Sequence, residues 1–274
     1  KGSGKSTLIR LARQHVFDDT PVREIVLGRS IDDPDELRRT FADGFDLEPA
    51  PGRGLGSLVD AINRLPPCVA VVEDLHHLFI RALGGFEAME AFLEIAAGTG
   101  DNVLWVVTVD ETAWRYLDRV VGIGSHFVHE ISTTNLSADE LERAIMARHE
   151  VSGFALRFET TAREAGTGTV ARLLGRQTRG ELTRKESQRR RYFQELAAIA
   201  EGNIVLALFY WLRSIQRIDE HVLVLDDPEI IDLEFLERLP LAQLHTIAAI
   251  ILHGGLSEAA HRRIFQLPAA ESRL

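Results

Sequence analysis

The chain opens on K-G-S-G-K-S-T (Lys1 to Thr7), and a later apolar run ends in two adjacent acids, V-A-V-V-E-D (Val69 to Asp74). The first stretch is the second half of G-x-x-x-x-G-K-[ST], a turn whose backbone N–H groups cradle phosphate oxygens at the start of a helix. Gly4, Lys5 and Ser6 supply its last glycine, its lysine and its hydroxyl, while Lys1, Gly2 and Ser3 fill spacer positions. The pattern places one more spacer, the first glycine and a leading strand upstream of Lys1. In such a loop the lysine meets the outer phosphates and the hydroxyl reaches Mg²⁺. Gly2, Ser3, Gly4, Lys5, Ser6 and Thr7 are therefore the expected phosphate-binding residues. Glu73 and Asp74 stand where open α/β sheets bind ligands, beyond the carboxyl end of a strand.

The elements that must position these groups are readable in order. Apolar residues at helical spacing in S-T-L-I-R-L-A-R-Q-H-V put Leu8, Leu11 and Ala12 on one face. A short strand is expected over Arg23–Gly28, a helix starting with the acids around Pro34, and another over G-S-L-V-D-A-I-N-R-L, stopped by Pro66-Pro67. C-V-A-V-V-E-D is too continuously apolar for one-sided burial and predicts a strand covered on both faces. A helix between glycines follows, then a strand over N-V-L-W-V-V-T-V-D, a helix over E-T-A-W-R-Y-L-D-R-V and a strand over H-F-V-H-E-I-S. Strands alternating with helices in this way predict an α/β fold, a three-layer parallel sheet with helices on both faces.

From Leu136 the pattern turns helical. Ser137 and Glu140 form a capping-box signature, and only H-V-L-V-L reads as a strand. The segment Arg163–Arg191 is basic in a chain whose formal net charge is −10. It is the best candidate surface for a polyanion, though a solvated, mobile charged insertion is its foremost reading. The acidic balance argues against indiscriminate nucleic-acid binding by the whole surface. No apolar run reaches the roughly 18–20 residues that span a bilayer. One cysteine, Cys68, excludes an internal disulfide and fits a reducing, cytoplasmic setting. His76-His77 has no third ligand in view, so a structural role is expected.

On Gly4-Lys5-Ser6 and V-A-V-V-E-D the chain resembles the P-loop ATPases of the AAA+ and related STAND group. The resemblance implies a P-loop nucleotide-binding core over 1–135 with its first strand missing. It also implies a helical lid over 136–225 with a basic insertion at 163–191, and an incomplete winged-helix-like domain over 226–274. It implies ATP and Mg²⁺ as ligands, with Lys5 and Ser6 in the roles above. In that family the strand ends in Asp then Glu, and here the order is reversed. Aligned by position, Glu73 takes the Mg²⁺ role and Asp74, one methylene shorter, the water-activating role. Lys5, Glu73 and Asp74 are the expected catalytic residues. Thr108, or failing it Asp110, is the candidate γ-phosphate sensor, and Arg115 or Arg119 the candidate arginine finger. The lid's usual arginine region is occupied by Ile204, Val205 and Leu206. L-S-E-A-A-H-R-R-I-F resembles the second helix of a winged helix and P-A-A-E-S-R-L the opening of its recognition helix. Arg262, Arg263 and Arg273 there face Glu258 and Glu271, which favours protein packing over DNA reading.

Three functions remain open at this stage. One is an ATP-hydrolysing switch or motor. The second is a nucleotide-binding regulatory scaffold with little turnover. The third is an ATP-dependent DNA-binding protein acting through the winged helix. The partners implied are ATP and either further copies of the chain or a partner protein, with nucleic acid as the third case.

Overall fold

The structure, a computed structural model, describes residues 4–17, 20–48, 54–133, 135–159 and 177–268, and only the backbone over 177–184. The chain divides into two units, one of residues 4–131 with 235–274, the other of residues 132–234.

The first unit is an α/β fold built on a parallel sheet in the order β1 (Val22–Ile25), β2 (Cys68–Val72), β3 (Val103–Val107). The register sets Val22 beside Val69 and Val72 beside Val107. All of β2 is buried. Because side chains alternate across a strand, both faces of the sheet are covered there, giving the expected three layers. Cys68, Ala70 and Val72 face one core cluster with Phe41, Phe45, Leu58 and Phe92. Burial raises the Cys68 thiol's pKa, as suits a structural cysteine.

The helices follow their sequence signals. α1 (Lys5–His15) starts at Gly4, and α2 (Pro34–Gly44) at Asp33, whose side chain accepts from the Asp35 amide. α3 (Leu55–Ile62), α4 (Glu87–Thr99) and α5 (Glu111–Val121) complete the set before residue 131. Phe41, Phe45 and Phe92 surround Trp105, whose indole N–H donates to Thr99 at 3.0 Å. Gly44 lets α2 lie on β1: a Cβ there would sit 2.7 Å from Ile25.

One expectation is corrected. The stretch H-F-V-H-E-I-S forms no strand; among the described residues it pairs with no ladder, and Val128 is 91% exposed. Its apolar pattern is strand-like, but a strand exists only beside another, and β3 ends the described sheet. On α1 the helical spacing is present, and Leu8 and Leu11 lie about half exposed.

Residues 235–274 contribute α9 (Leu241–His253) and α10 (Glu258–Phe265) to this unit. α10 is capped by Ser257, and its Arg263 pairs with Asp32. The expected recognition-helix opening, from Pro268 to Leu274 and including Arg273, lies outside the described residues apart from Pro268.

The second unit holds α6 (Ala138–His149), α7 (Gln177–Ile199) and α8 (Ile204–Arg213) around Tyr192, Phe193, Trp211, Leu141 and Ile145. The Ser137/Glu140 capping box is present. A second sheet, in the order β4 (Ala155–Phe158), β6 (Val222–Leu225), β5 (Ile215–Asp219), departs from the nearly all-helical expectation. Only H-V-L-V-L was legible because β6 is the buried central strand, whereas β4 and β5 keep polar, exposed residues. Part of the basic segment, residues 177–191, is described. There it is helix α7, with Arg189 donating to Glu142 at 2.5 Å and Arg191 to Glu195 at 2.8 Å. The apolar residues that follow on α7 anchor it in the core. Positions 163–176 lie outside the described residues. No helix among the described residues is long and apolar enough to cross a membrane.

Candidate functional site

Three local features meet at the carboxyl ends of β2 and β3. α1 begins there with Gly4 in left-handed backbone at φ 90°, and no atom of the described residues lies within 4 Å of where a Cβ would stand. A glycine cap offers no side chain to the orphan N–H groups of the first turn, which suits an anion taking that place. Gly4 is thus open toward a ligand while α1 follows at once.

Ser6 and Glu73 come together. The Ser6 hydroxyl donates to Glu73 Oε2, so two hard oxygens from different elements converge. Oxygen donors in this number match Mg²⁺, which keeps most of its water and takes one or two protein groups. Lys5 does not lie against Glu73 but forms an ion pair with Asp110, just past β3. The two side chains are about one-fifth exposed. Burial acts to raise the Asp110 pKa, but the Lys5 hydrogen bond and charge outweigh it and hold the carboxyl below its ordinary value.

Asp74 sits in left-handed backbone, φ 55° and ψ 50°, at the turn that leaves β2. Its amide donates to Thr108 Oγ1 at 3.0 Å, and the Leu75 amide donates to the Thr108 carbonyl at 2.8 Å. Thr108 is buried and therefore fixes the acidic turn. The expected sensor residue thus has an observed backbone partner, and its neighbour Asp110 is the group that meets Lys5. Thr7 is exposed on α1. Gly2 and Ser3 lie outside the described residues. Arg115 pairs with Glu111 on its own helix, and Arg119 is exposed.

His76 and His77 follow the acidic turn directly. Both residues lie in one 3₁₀ turn, Leu75–Leu78, with their rings 4.7 Å apart. His77 Nδ1 lies 2.9 Å from the Leu27 carbonyl. His76 is fully buried, neither ring nitrogen has a hydrogen-bond partner among the described residues, and Nε2 stands 4.0 Å from Asp110 Oδ2. Burial first, then His77, lowers its pKa against the opposing pull of Asp110 and Asp74. Sequence reasoning missed the third histidine of this group, His253 at the end of α9, whose ring stands 4.9 Å from Phe79. No local signal marks it, because tertiary packing alone brings α9 here. Among the described residues no His/Cys/Asp/Glu group has metal-site geometry. A shallow cleft of about 370 Å³ at the opposite end of the strands, lined by Phe17, Pro67, Val69 and Leu104, holds none of these residues.

No protein-family model matches the sequence, and no curated protein does either. Among solved structures, Cdc6p from Pyrobaculum aerophilum is 15% identical at a TM-score of 0.49, over 97% of this chain and 71% of that one. A point variant of RuvB from Thermotoga maritima is 11% identical at a TM-score of 0.30, over 97% of this chain and 82% of the other.

Proposed function

We propose that the chain binds ATP with Mg²⁺ and hydrolyses it, acting as a switch of the AAA+ and STAND kind. The observation that carries this reading is the meeting of Ser6 with Glu73 at the open first turn of α1, with Lys5 preceding Ser6 in that turn and paired with Asp110. In this reading Lys5 balances phosphate charge, and the first-turn amides of α1 receive phosphate oxygens. Ser6 and Glu73 would hold Mg²⁺, which would supply charge neutralisation on the phosphates. Asp74 takes the proton of the attacking water, and Thr108 orients Asp74 through its amide. Glu73 and Asp74 thus divide the work of the two acids in the order the sequence imposes. Of the two arginines on α5, Arg119 is the better placed to reach a neighbouring copy in an oligomer, because Arg115 is engaged by Glu111.

Two observations favour the low-turnover scaffold as the second reading. Lys5 is engaged by a carboxylate, and Asp74 is one methylene shorter than the glutamate the family places there. DNA binding through α10 is the weaker third, since Arg263 is engaged by Asp32.

The deciding experiment measures Mg-ATP binding and turnover on the full-length protein beside Lys5→Ala, Glu73→Gln and Asp74→Asn. Turnover abolished in Asp74→Asn with binding retained is the expected result. Tight binding without turnover in the parent makes the protein a nucleotide-gated scaffold. No binding in the parent sinks the nucleotide reading. Salt-sensitive binding to duplex DNA would revive the third.

A further inference from the structure

The acidic turn lies past the end of its own strand, so the sheet ladder does not hold it. The register closes with Ile25 beside Val72 and Val72 beside Val107. Asp74 follows in left-handed backbone, which a residue other than glycine keeps only when its surroundings hold it there. On the β3 side the hold is Thr108, whose hydroxyl accepts the Asp74 amide and whose carbonyl accepts the Leu75 amide. The β1 side has a matching hold, and His77 supplies it.

The His77 amide donates to the Asp74 carbonyl at 2.9 Å and closes the turn. Its carbonyl accepts the Ile31 amide at 2.7 Å. Its ring Nδ1 lies 2.9 Å from the Leu27 carbonyl. A carbonyl oxygen only accepts, so Nδ1 carries the proton and donates, which leaves Nε2 as the bare nitrogen of the neutral ring. Leu27 and Ile31 are 5% and 3% exposed, so the loop that receives these bonds is itself anchored in the core. The fully buried His76 ring stands 4.7 Å away, tilted edge-on, and backs the His77 ring. Backbone groups alone make the bonds to Asp74 and Ile31, and any residue could supply them. The bond to Leu27 needs a side-chain donor at the place of Nδ1.

We propose that His77 is a positioning residue for Asp74: its Nδ1–H ties the acidic turn to the loop after β1, as Thr108 ties it to β3, and the two together aim the Asp74 carboxylate. This rests on the ATPase reading above and deepens it. Without the ring bond the side chains hold the turn from the β3 side alone, and the backbone at Asp74 is released toward commoner conformations. A displacement of about 1 Å at a reacting group costs on the order of 100-fold in rate. The bonds of His77 go to Asp74, Ile31 and Leu27, and none goes to Lys5 or Ser6, so nucleotide affinity is expected to stand apart from this effect.

The test compares the full-length protein with His77→Asn, His77→Gln and His77→Leu. Asparagine puts its amide nitrogen where Nδ1 stands, whereas glutamine carries its nitrogen further out, near the place of Nε2. Turnover of Mg-ATP, affinity for a fluorescent ATP analogue and urea unfolding by tryptophan fluorescence are measured on each. His77→Asn is expected to keep kcat within a few-fold of the parent. His77→Gln and His77→Leu are expected to lower kcat by about 10–100-fold with affinity unchanged. ¹⁵N NMR of the parent ring, without nucleotide, is expected to show Nδ1 protonated, the minor tautomer of free histidine. A ring protonated at Nε2 alone overturns the inference whatever the turnover. Equal kcat in His77→Asn and His77→Gln overturns it, and so does a fall in kcat matched by an equal loss of affinity. If His77→Leu fails to fold, the asparagine–glutamine pair and the ring tautomer still decide. Absence of turnover in the parent removes the functional reading, and the inference with it.

Discussion

Thr108→Val isolates the one hydroxyl that holds the acidic turn. Valine keeps the volume and branching of threonine but removes the oxygen that accepts the Asp74 amide at 3.0 Å. The position is 8% exposed, so water replaces the lost acceptor poorly. Stranding that amide should cost about 1–3 kcal/mol. Asp74 sits at φ 55°, where L-residues other than glycine are disfavoured by roughly 1–2 kcal/mol, aspartate among the least. Part of the cost should therefore be recovered by the turn relaxing out of that conformation, leaving a net loss of about 1–2 kcal/mol. Thr108→Ser, which keeps the oxygen, should stay within about 0.5 kcal/mol of the parent. The protein has two units, so a single unfolding curve would mix them. Its tryptophans separate the two. Trp105 and Trp114 report on the sheet unit, and placing Trp211→Phe in every protein compared silences the other. Urea unfolding followed by tryptophan fluorescence then reads the sheet unit directly. Equal midpoints for Thr108→Val and Thr108→Ser, with unchanged slopes, would refute the reasoning. A stability loss without any fall in ATP turnover would separate the structural role of Thr108 from a catalytic one.

Burial chiefly depresses the His253 pKa, from 6.5 to about 4, with His76 and Arg81 adding to it, so the fold holds the ring neutral while the unfolded chain protonates. Stability should therefore be complete above pH 6.5 and fall by about 2–3 kcal/mol as pH drops toward 4; His253→Phe should flatten that slope in unfolding curves across the range. Gly254→Ala forces a Cβ into left-handed backbone 2.9 Å from His76, and should cost at least about 1 kcal/mol, a loss that His76→Ala should partly relieve in a double-mutant cycle. Phe92→Ala empties the fully buried centre of the Trp105 cluster and should cost about 3–5 kcal/mol, read as a lower urea midpoint of the same fluorescence. Asp74→Gly removes the strained side chain, and should leave the sheet unit at least as stable as the parent while turnover collapses, the two being measured on one preparation.

What the sequence makes legible is whatever neighbours along the chain decide. The Asp33-Pro34 helix start, the Ser137/Glu140 capping box and the apolar run closed by Glu73 and Asp74 are local statements, and each is present in the structure. Residues 126–132 have equally good local credentials and form no strand, because a ladder depends on a neighbouring edge. β4 and β5 err the other way, being strands without an apolar run because the sheet buries its middle member most. The site shows the same division at the scale of single atoms. In extended backbone, residues two apart point to the same side, so Thr108 and Asp110 are equally eligible to face a ligand from the end of β3. Periodicity cannot rank them, and strand propensity favours the threonine as an ordinary core residue. Their partners rank them. The αL turn at Asp74 brings its amide to Thr108, while α1 carries Lys5 to Asp110. Which of two like-facing residues meets Lys5 is thus set by where two other elements begin, and that information lies in the packing between them.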